Sequence, residues 1–235
     1  GKLHLGYADP SLLPINRGFK QTVTMPFSGG DNWTQQSYVP HYDKTLWLEN
    51  GKEISVPEGF YSSKFIVDKA IQQLDNNQKT HEGKRKPFFS YVSFQAVHIP
   101  LQAPEEFTEK YIGSYREGWH ALRKNRQNAV KDLGLIPASS PMKRMATTDD
   151  WDKLSEEEKR YNDKRMAVYA GMVDAMDHHI GRLIQYLKES GQYDNTVIIF
   201  TSDNGPAASE LPLLWIKALG YNRDYETLGE RYSYG

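Results

Sequence analysis

Thr196-Val197-Ile198-Ile199-Phe200-Thr201-Ser202-Asp203-Asn204-Gly205 decides how the chain is read. Its first half is β-branched and apolar, the composition of a buried strand. It then breaks into an acid, an amide and a glycine. In open α/β sheets, ligands bind just past the carboxyl ends of strands, so Asp203 and Asn204 would stand on a ligand-binding rim. Both are oxygen donors, which suits a hard cation such as Ca²⁺ or Mg²⁺. Asp-Asn-Gly is also an ordinary turn sequence, and that simpler reading stays open at this point.

Working back from this run, Tyr169, Met172, Val173, Met176, Ile180, Leu183, Ile184 and Leu187 recur at helical spacing. Ser155 with Glu158 predicts a capping box at the start of that helix, and Gly191 predicts its stop. Earlier, Pro87 introduces Phe88 to Phe94, a second expected strand. Phe60, Val67, Ala70, Ile71 and Leu74 form a helical stripe before it. Residues 105–134 read as helical pieces anchored by Trp119, Leu122 and Leu133. The order helix, strand, helix, strand predicts an α/β fold, a sheet with helices on its faces. Residues 1–57, rich in Gly, Pro, Asn and aromatics, read as loops laid over a core at 58–205. Residues 206–235 read as an irregular tail.

Composition narrows the function. The chain has 235 residues, with 29 basic and 30 acidic side chains. A net charge of -1 favours neither nucleic acid nor an anionic membrane. No run approaches the ~18 apolar residues of a membrane span. With no cysteine, disulfides and thiolate metal sites are excluded within these residues.

Several polar side chains are candidates for chemistry. His98 lies just past the strand expected at 88–94. If that strand runs parallel to the one at 196, His98 and Asp203 share one rim, where an imidazole can bind an oxyanion or protonate a leaving group. The alternative is a histidine that only satisfies a Pro-rich turn. Lys2 and His4 would point to one face of an extended segment and could grip a tetrahedral anion, or be merely solvated. Asp174, Asp177 and His178 fall mainly on the outer face of the long helix, which favours solvation over metal binding. Lys84-Arg85-Lys86 and Asp149-Asp150 read as solvated charge. Asn32-Trp33-Thr34 fits the N-glycosylation pattern.

Taken together, the motifs resemble those of the type I, formylglycine-dependent sulfatases. Gly1-Lys2-Leu3-His4-Leu5-Gly6 resembles that family's G-K-W-H-L-G element, with Leu3 in place of Trp. Arg17-Gly18-Phe19-Lys20 is similar to R-G-F-D, with Lys20 in place of Asp. His98-Ile99-Pro100-Leu101-Gln102-Ala103-Pro104 matches H-x-P-L-Q-A-P. Asp194-Asn195-Thr196 through Ser202-Asp203-Asn204-Gly205 resembles the D-N-T to S-D-N-G signature. Gly118-Trp119-His120 and Leu133-Gly134-Leu135 suggest the bacterial arylsulfatase branch.

The resemblance implies an alkaline-phosphatase-like α/β fold, a mixed sheet with helices on both faces, and hydrolysis of a small-molecule or carbohydrate sulfate ester. It implies a formylglycine nucleophile, a Ca²⁺ (alternatively Mg²⁺) held by Asp203 and Asn204, and a formylglycine-generating enzyme as a partner. By motif, Lys2 bridges nucleophile and sulfate, His4 is the base that lets sulfate leave, and His98 contacts sulfate and assists the leaving oxygen. It also implies a periplasmic or secreted protein. No C/S-x-P-x-R nucleophile element is present; Ser139-Ser140-Pro141-Met142-Lys143-Arg144 fails at Lys143 and falls after His98. The expectation is therefore an internal piece of a sulfatase, lacking the first strand and a C-terminal domain, and inactive alone. A phosphomonoesterase or phosphonate hydrolase of the same superfamily, and a non-catalytic binding module, are the competing readings.

Overall fold

The computed structural model describes residues 1–5, 8–79, 86–142, 150–205 and 213–235. Gly6, Lys84, Arg85, Lys143, Arg144, Asp149 and positions 206–212 of the expected tail lie outside the described residues. The architecture is mixed α/β, with helices around a small sheet. Strands β1 (Val23–Thr24), β2 (Trp47–Glu49) and β3 (Lys52–Ile54) pair antiparallel in that order. Among the described residues five α-helices follow: α1 (Ser62–Lys79), α2 (Glu105–Thr108), α3 (Gly118–Asp132), α4 (Glu156–Glu189) and α5 (Leu213–Ala218).

The β2–β3 hairpin turns on Asn50-Gly51, both at positive φ (50° and 81°). Asn-Gly is the preferred pair where two successive residues must take that conformation. Residues 1–57 are thus more than loops over a core: Val23, Met25 and Trp47 pack with Phe60, Phe65 and Ile66 of the α1 region to form the first core.

Helix α4 begins as its sequence predicts. Ser155 Oγ accepts from the Glu158 amide, and the Glu158 side chain accepts from the Ser155 amide. At the other end the Gly191 amide reaches Lys188 O and the Gln192 amide reaches Leu187 O, with Gly191 at φ 65°. The buried face, however, is rotated from the expected stripe. It runs through Val168, Met172, Ala175 and His179, while Val173 is exposed. Gly171 lets α2 close on α4: a Cβ there would lie 2.6 Å from Thr108 Oγ1. Leu133, expected as an anchor, is exposed, because it follows the last turn of α3 and meets no neighbouring element.

His179 therefore sits inside, facing α1 and α2. Arg182 Nη1 lies 3.3 Å from His179 Nδ1 and Arg182 Nη2 donates to Asp68 at 2.6 Å. Lys64 also donates to Asp68, at 2.7 Å, and Phe107 packs its ring against His178 and His179. Arg182 can only donate, so His179 Nδ1 accepts and the ring is neutral. Burial, with Arg182 and His178 beside it and Asp68 opposing, lowers the His179 pKa to about 4. The unfolded imidazole titrates near 6.5 and so binds its proton first as pH falls. Stability is then retained above ~6.5 and lost towards 4, by on the order of 2 kcal/mol. Thermal melts across that range should show the decline, and His179→Leu should flatten it; a wild-type melting temperature unchanged from pH 6.5 to 4 would refute it.

The run at 196–201 departs most from expectation. It is not a paired strand among the described residues, and it is not buried: Val197 is 88% exposed, Ile199 83% and Phe200 74%. A strand needs a neighbour to take its amides and carbonyls, and no described residue provides one. Residues 88–94 form no strand among the described residues, though Ser93 O accepts from the Lys2 amide, and one face is covered: Val92 and Phe94 pack on the first core while Phe89 and Tyr91 are exposed. Two such apolar segments favour association. The isolated 235-residue chain should bind a hydrophobic dye and self-associate. A dye-silent monomer in sedimentation would contradict this.

The C-terminal residues are no irregular tail. Ile216, Tyr221 and Tyr234 join Tyr38 in a third core, and Leu228 joins Leu101, Ala103, Val168 and Met172 in a second. Residues 92–103 run through all three: Val92 and Phe94 in the first, Val97, Leu101 and Ala103 in the second, and Ile99 shared by the second and third. That path fixes where His98 stands.

Candidate active site

Residues 1–3 lie between two other segments. The Lys2 amide donates to Ser93 O at 3.0 Å, the Leu3 amide to Met25 O at 2.8 Å, and the Met25 amide to Gly1 O at 3.1 Å. Gly1 approaches Ser93 so closely that a Cβ there would fall 1.8 Å from its carbonyl oxygen. Lys2 is thereby held beside the segment that ends in His98. His4 does not continue the extended run: its φ is 51°. The side-by-side alternation expected for Lys2 and His4 is broken at that residue, yet both side chains act on the same imidazole.

His98 is half-buried. Its amide donates to Gln95 O at 3.0 Å, and the Gln95 side chain donates in turn to Gly30 O. His98 Nδ1 lies 2.9 Å from Ile99 O and 3.2 Å from the Tyr38 phenol. Burial pushes the imidazole below its ordinary value; the bond to Ile99 O opposes this, and Lys2 and His4 add to it. Burial likewise lowers the Lys2 ammonium, while the Asp203 carboxylate pulls it back up. Lys2 therefore interacts electrostatically with both Asp203 and His98, and His98 with His4 as well. The structure brings these four ionisable groups into one electrostatic neighbourhood, although residues 88–94 and 196–201 form no parallel pair.

Asp203 and Asn204 are exposed at the end of the unpaired run. Ser202 Oγ donates to Asn204 O at 2.8 Å, and the Asn204 amide nitrogen donates to Gly205 O at 2.6 Å. Asn204 Oδ1 and the Asp203 carboxylate are then available as oxygen ligands. Their chemistry fits a hard cation, which takes 6–8 oxygens as Ca²⁺ or about six as Mg²⁺. Two donors are part of such a shell, and no group of three His, Cys, Asp or Glu is placed to hold a metal among the described residues.

The motif glutamine has a different role. Gln102 is fully buried: its Oε1 accepts from the Asn32 amide at 2.8 Å and its Nε2 donates to Ser233 O at 3.0 Å. Asn32 is equally buried; its side chain donates to Pro100 O at 3.2 Å and accepts from Ser62 Oγ at 2.6 Å. The glycosylation pattern at Asn32 is therefore inaccessible in the folded chain. Asp174 pairs with Lys110 and the Tyr111 phenol, and Asp177 and His178 are exposed, as the outer-face reading expects. A groove of about 450 Å³, lined by Trp33, Val56, Pro57, Glu58, Phe60 and Arg231 among others, includes none of the five candidate residues. Tyr38 escapes the sequence reading, since nothing in the spacing links it to an imidazole 60 positions away.

The family model described as Sulfatase matches residues 1–227. An uncharacterised sulfatase of Schizosaccharomyces pombe is 41% identical over 221 residues, covering 90% of this chain and 39% of that protein. An arylsulfatase of Klebsiella aerogenes is 30% identical over 244 residues, covering 100% of this chain and 50% of that protein. Among solved structures, that of Ps i-CgsB with k-i-k-neocarrahexaose aligns over 83% of this chain and 34% of that one, at 25% identity and a TM-score of 0.49. The chain thus spans two fifths to half the length of these curated relatives. Among the described residues no helix is long and apolar enough to cross a membrane.

Proposed function

Since the chain belongs to the sulfatase family, we propose that it carries the anion-binding and proton-transfer half of an arylsulfatase-type active site acting on sulfate monoesters. The observation that supports this reading is the shared neighbourhood of Lys2, His4, His98 and Asp203, drawn from three separate parts of the chain. A cationic site of this kind stabilises charge that develops on a transferring sulfuryl group.

Each residue has a distinct task in this reading. The Lys2 ammonium binds a sulfate oxygen and holds it against the charge that builds up there. His98 gives the Nε2 proton to the ester oxygen as the sulfur–oxygen bond breaks. His4, more exposed, takes up a proton when sulfate departs. Asp203 and Asn204 would hold Ca²⁺ or, alternatively, Mg²⁺, which would supply further positive charge to the site. A formylglycine hydrate would supply the oxygen nucleophile; these 235 residues hold no cysteine that could be its precursor. A formylglycine-generating enzyme is then a partner, and export to the periplasm or outside the cell fits that chemistry. Residues 20–57 and 206–235 are the candidates for contacting the alcohol portion of the substrate.

The test is to express the longest reading frame that contains these 235 codons together with a formylglycine-generating enzyme. Rates are compared on 4-nitrophenyl sulfate and 4-nitrophenyl phosphate. Faster turnover of the sulfate is expected. Preference for the phosphate would replace the reading with phosphoester hydrolysis, and activity on neither would favour a binding module.

A further inference from the structure

Two contacts at His98 Nδ1 act together on the protonation of that nitrogen. Ile99 O, at 2.9 Å, is a carbonyl oxygen and can only accept, so Nδ1 carries the hydrogen. The Tyr38 phenol oxygen, 3.2 Å from the same nitrogen, then also accepts. Its own hydrogen has another destination, Ser28 Oγ at 3.1 Å. The two rings stack with centroids 6.0 Å apart and planes 26° apart. Tyr38 is itself buried and immobilised. Tyr234 meets its ring edge-on at 6.1 Å, and Ile216, Tyr221 and Val39 complete the cluster.

We propose that Tyr38 is a positioning residue that holds the His98 imidazole in its plane and in the Nδ1–H tautomer, leaving Nε2 to exchange the proton with the substrate. The proposal rests on the reading of His98 as the proton donor. In the protonated ring the Nε2–H bond breaks and an O–H bond forms on the ester oxygen, while the sulfur–oxygen electron pair passes to that oxygen. What remains is the neutral Nδ1–H imidazole, the form already held by Ile99 O and Tyr38. No ring flip or tautomer exchange is needed between the two states, which is the usual service of an outer hydrogen bond to a working histidine. Burial raises the Tyr38 phenol, so it stays neutral and adds no competing charge.

The experiment has two arms. In the first, nitrogen-15 spectra of the histidine-labelled product of the longest reading frame are recorded above the His98 midpoint and assigned against His98→Gln. Wild type should show a protonated Nδ1 and an unprotonated Nε2. Tyr38→Phe keeps the ring and the bond to Ile99 O but loses the second acceptor, and should raise the Nε2–H share above that of wild type. Ser28→Ala frees the phenol hydrogen to turn towards Nδ1 and should shift the population towards Nε2–H. A wild-type ring in the Nε2–H form, or a Tyr38→Phe spectrum identical to wild type, would overturn the proposal.

The second arm uses the product of the longest reading frame. Tyr38→Phe should lower kcat for an alkyl sulfate about threefold to tenfold, with KM changed less than about twofold, and should affect 4-nitrophenyl sulfate less. Equal losses on both substrates alongside the expected spectra would refute His98 as the proton donor while leaving the tautomer held by Tyr38. A loss confined to KM would overturn the positioning role.

Discussion

Lys2→Ala is expected to reduce kcat/KM on sulfate esters by about a hundredfold to a thousandfold, the loss typical when a single preorganised charge-stabilising donor is removed from an active site. Lys2 interacts electrostatically with both His98 and Asp203, so its charge is the one that an incoming tetrahedral anion would meet beside both groups. Its backbone bond to Ser93 and its pairing with Met25 do not depend on the side chain. The variant should therefore keep the wild-type melting temperature and circular dichroism. Lys2→Arg restores the charge but not the compact ammonium geometry and should recover only part of the rate. The assay is made on the product of the longest reading frame. A loss of less than about tenfold in a folded Lys2→Ala enzyme would remove Lys2 from the charge-stabilising role.

Gln102→Leu should be among the most damaging changes outside the reacting groups, although the two side chains are close in size. The substitution leaves the buried Asn32 amide and Ser233 carbonyl without partners. Each orphaned group costs ~1–3 kcal/mol, so a loss of about 4 kcal/mol is expected. That is a large fraction of the 5–15 kcal/mol that typically separates folded from unfolded chains. Urea unfolding measures it. Gln102→Glu provides the contrast: it keeps the acceptor for Asn32 but loses the donor to Ser233, and should fall between leucine and wild type. Indistinguishable midpoints for all three would mean that the network contributes little.

Local signals carried much of the fold reading, and their reach explains where it stopped. Ser155, Glu158 and Gly191 specify the ends of α4 through bonds within a few residues, so the sequence alone marks them. Asn50-Gly51 is a hairpin signal of the same local kind, but the loop reading of residues 1–57 passed over it, because the strands it joins are only three residues each. The buried face of α4 was harder, because apolar spacing does not reveal that Gly171 and Ala175 are where neighbours approach, nor that His179 is taken inside by Arg182 and Asp68. Thr196 to Thr201 shows the limit most clearly. Composition expresses a preference for strand, but pairing and burial depend on a neighbour that composition does not name.

The candidate site follows the same division. Lys2, His4, His98, Asp203 and Asn204 stand out through their motifs, whereas the contacts that set their geometry come from distant, unremarkable residues. Tyr38 and Ser28 belong to no motif, and the Ile99 carbonyl is invisible to any reading of side chains. Gln102 had a motif but no evident task until its partners were located at Asn32 and Ser233.

Residues 92–103 answer to three separate clusters, and the last of them is completed by Tyr221 and Tyr234. The imidazole cannot settle until residues 229–234 are in place, because Leu101 takes its amide's acceptor from Tyr234 and Ala103 from Gly229. Removing residues 221–235 should therefore unsettle the site before it melts the molecule: a helix-rich body would survive, with the His98 ring adrift.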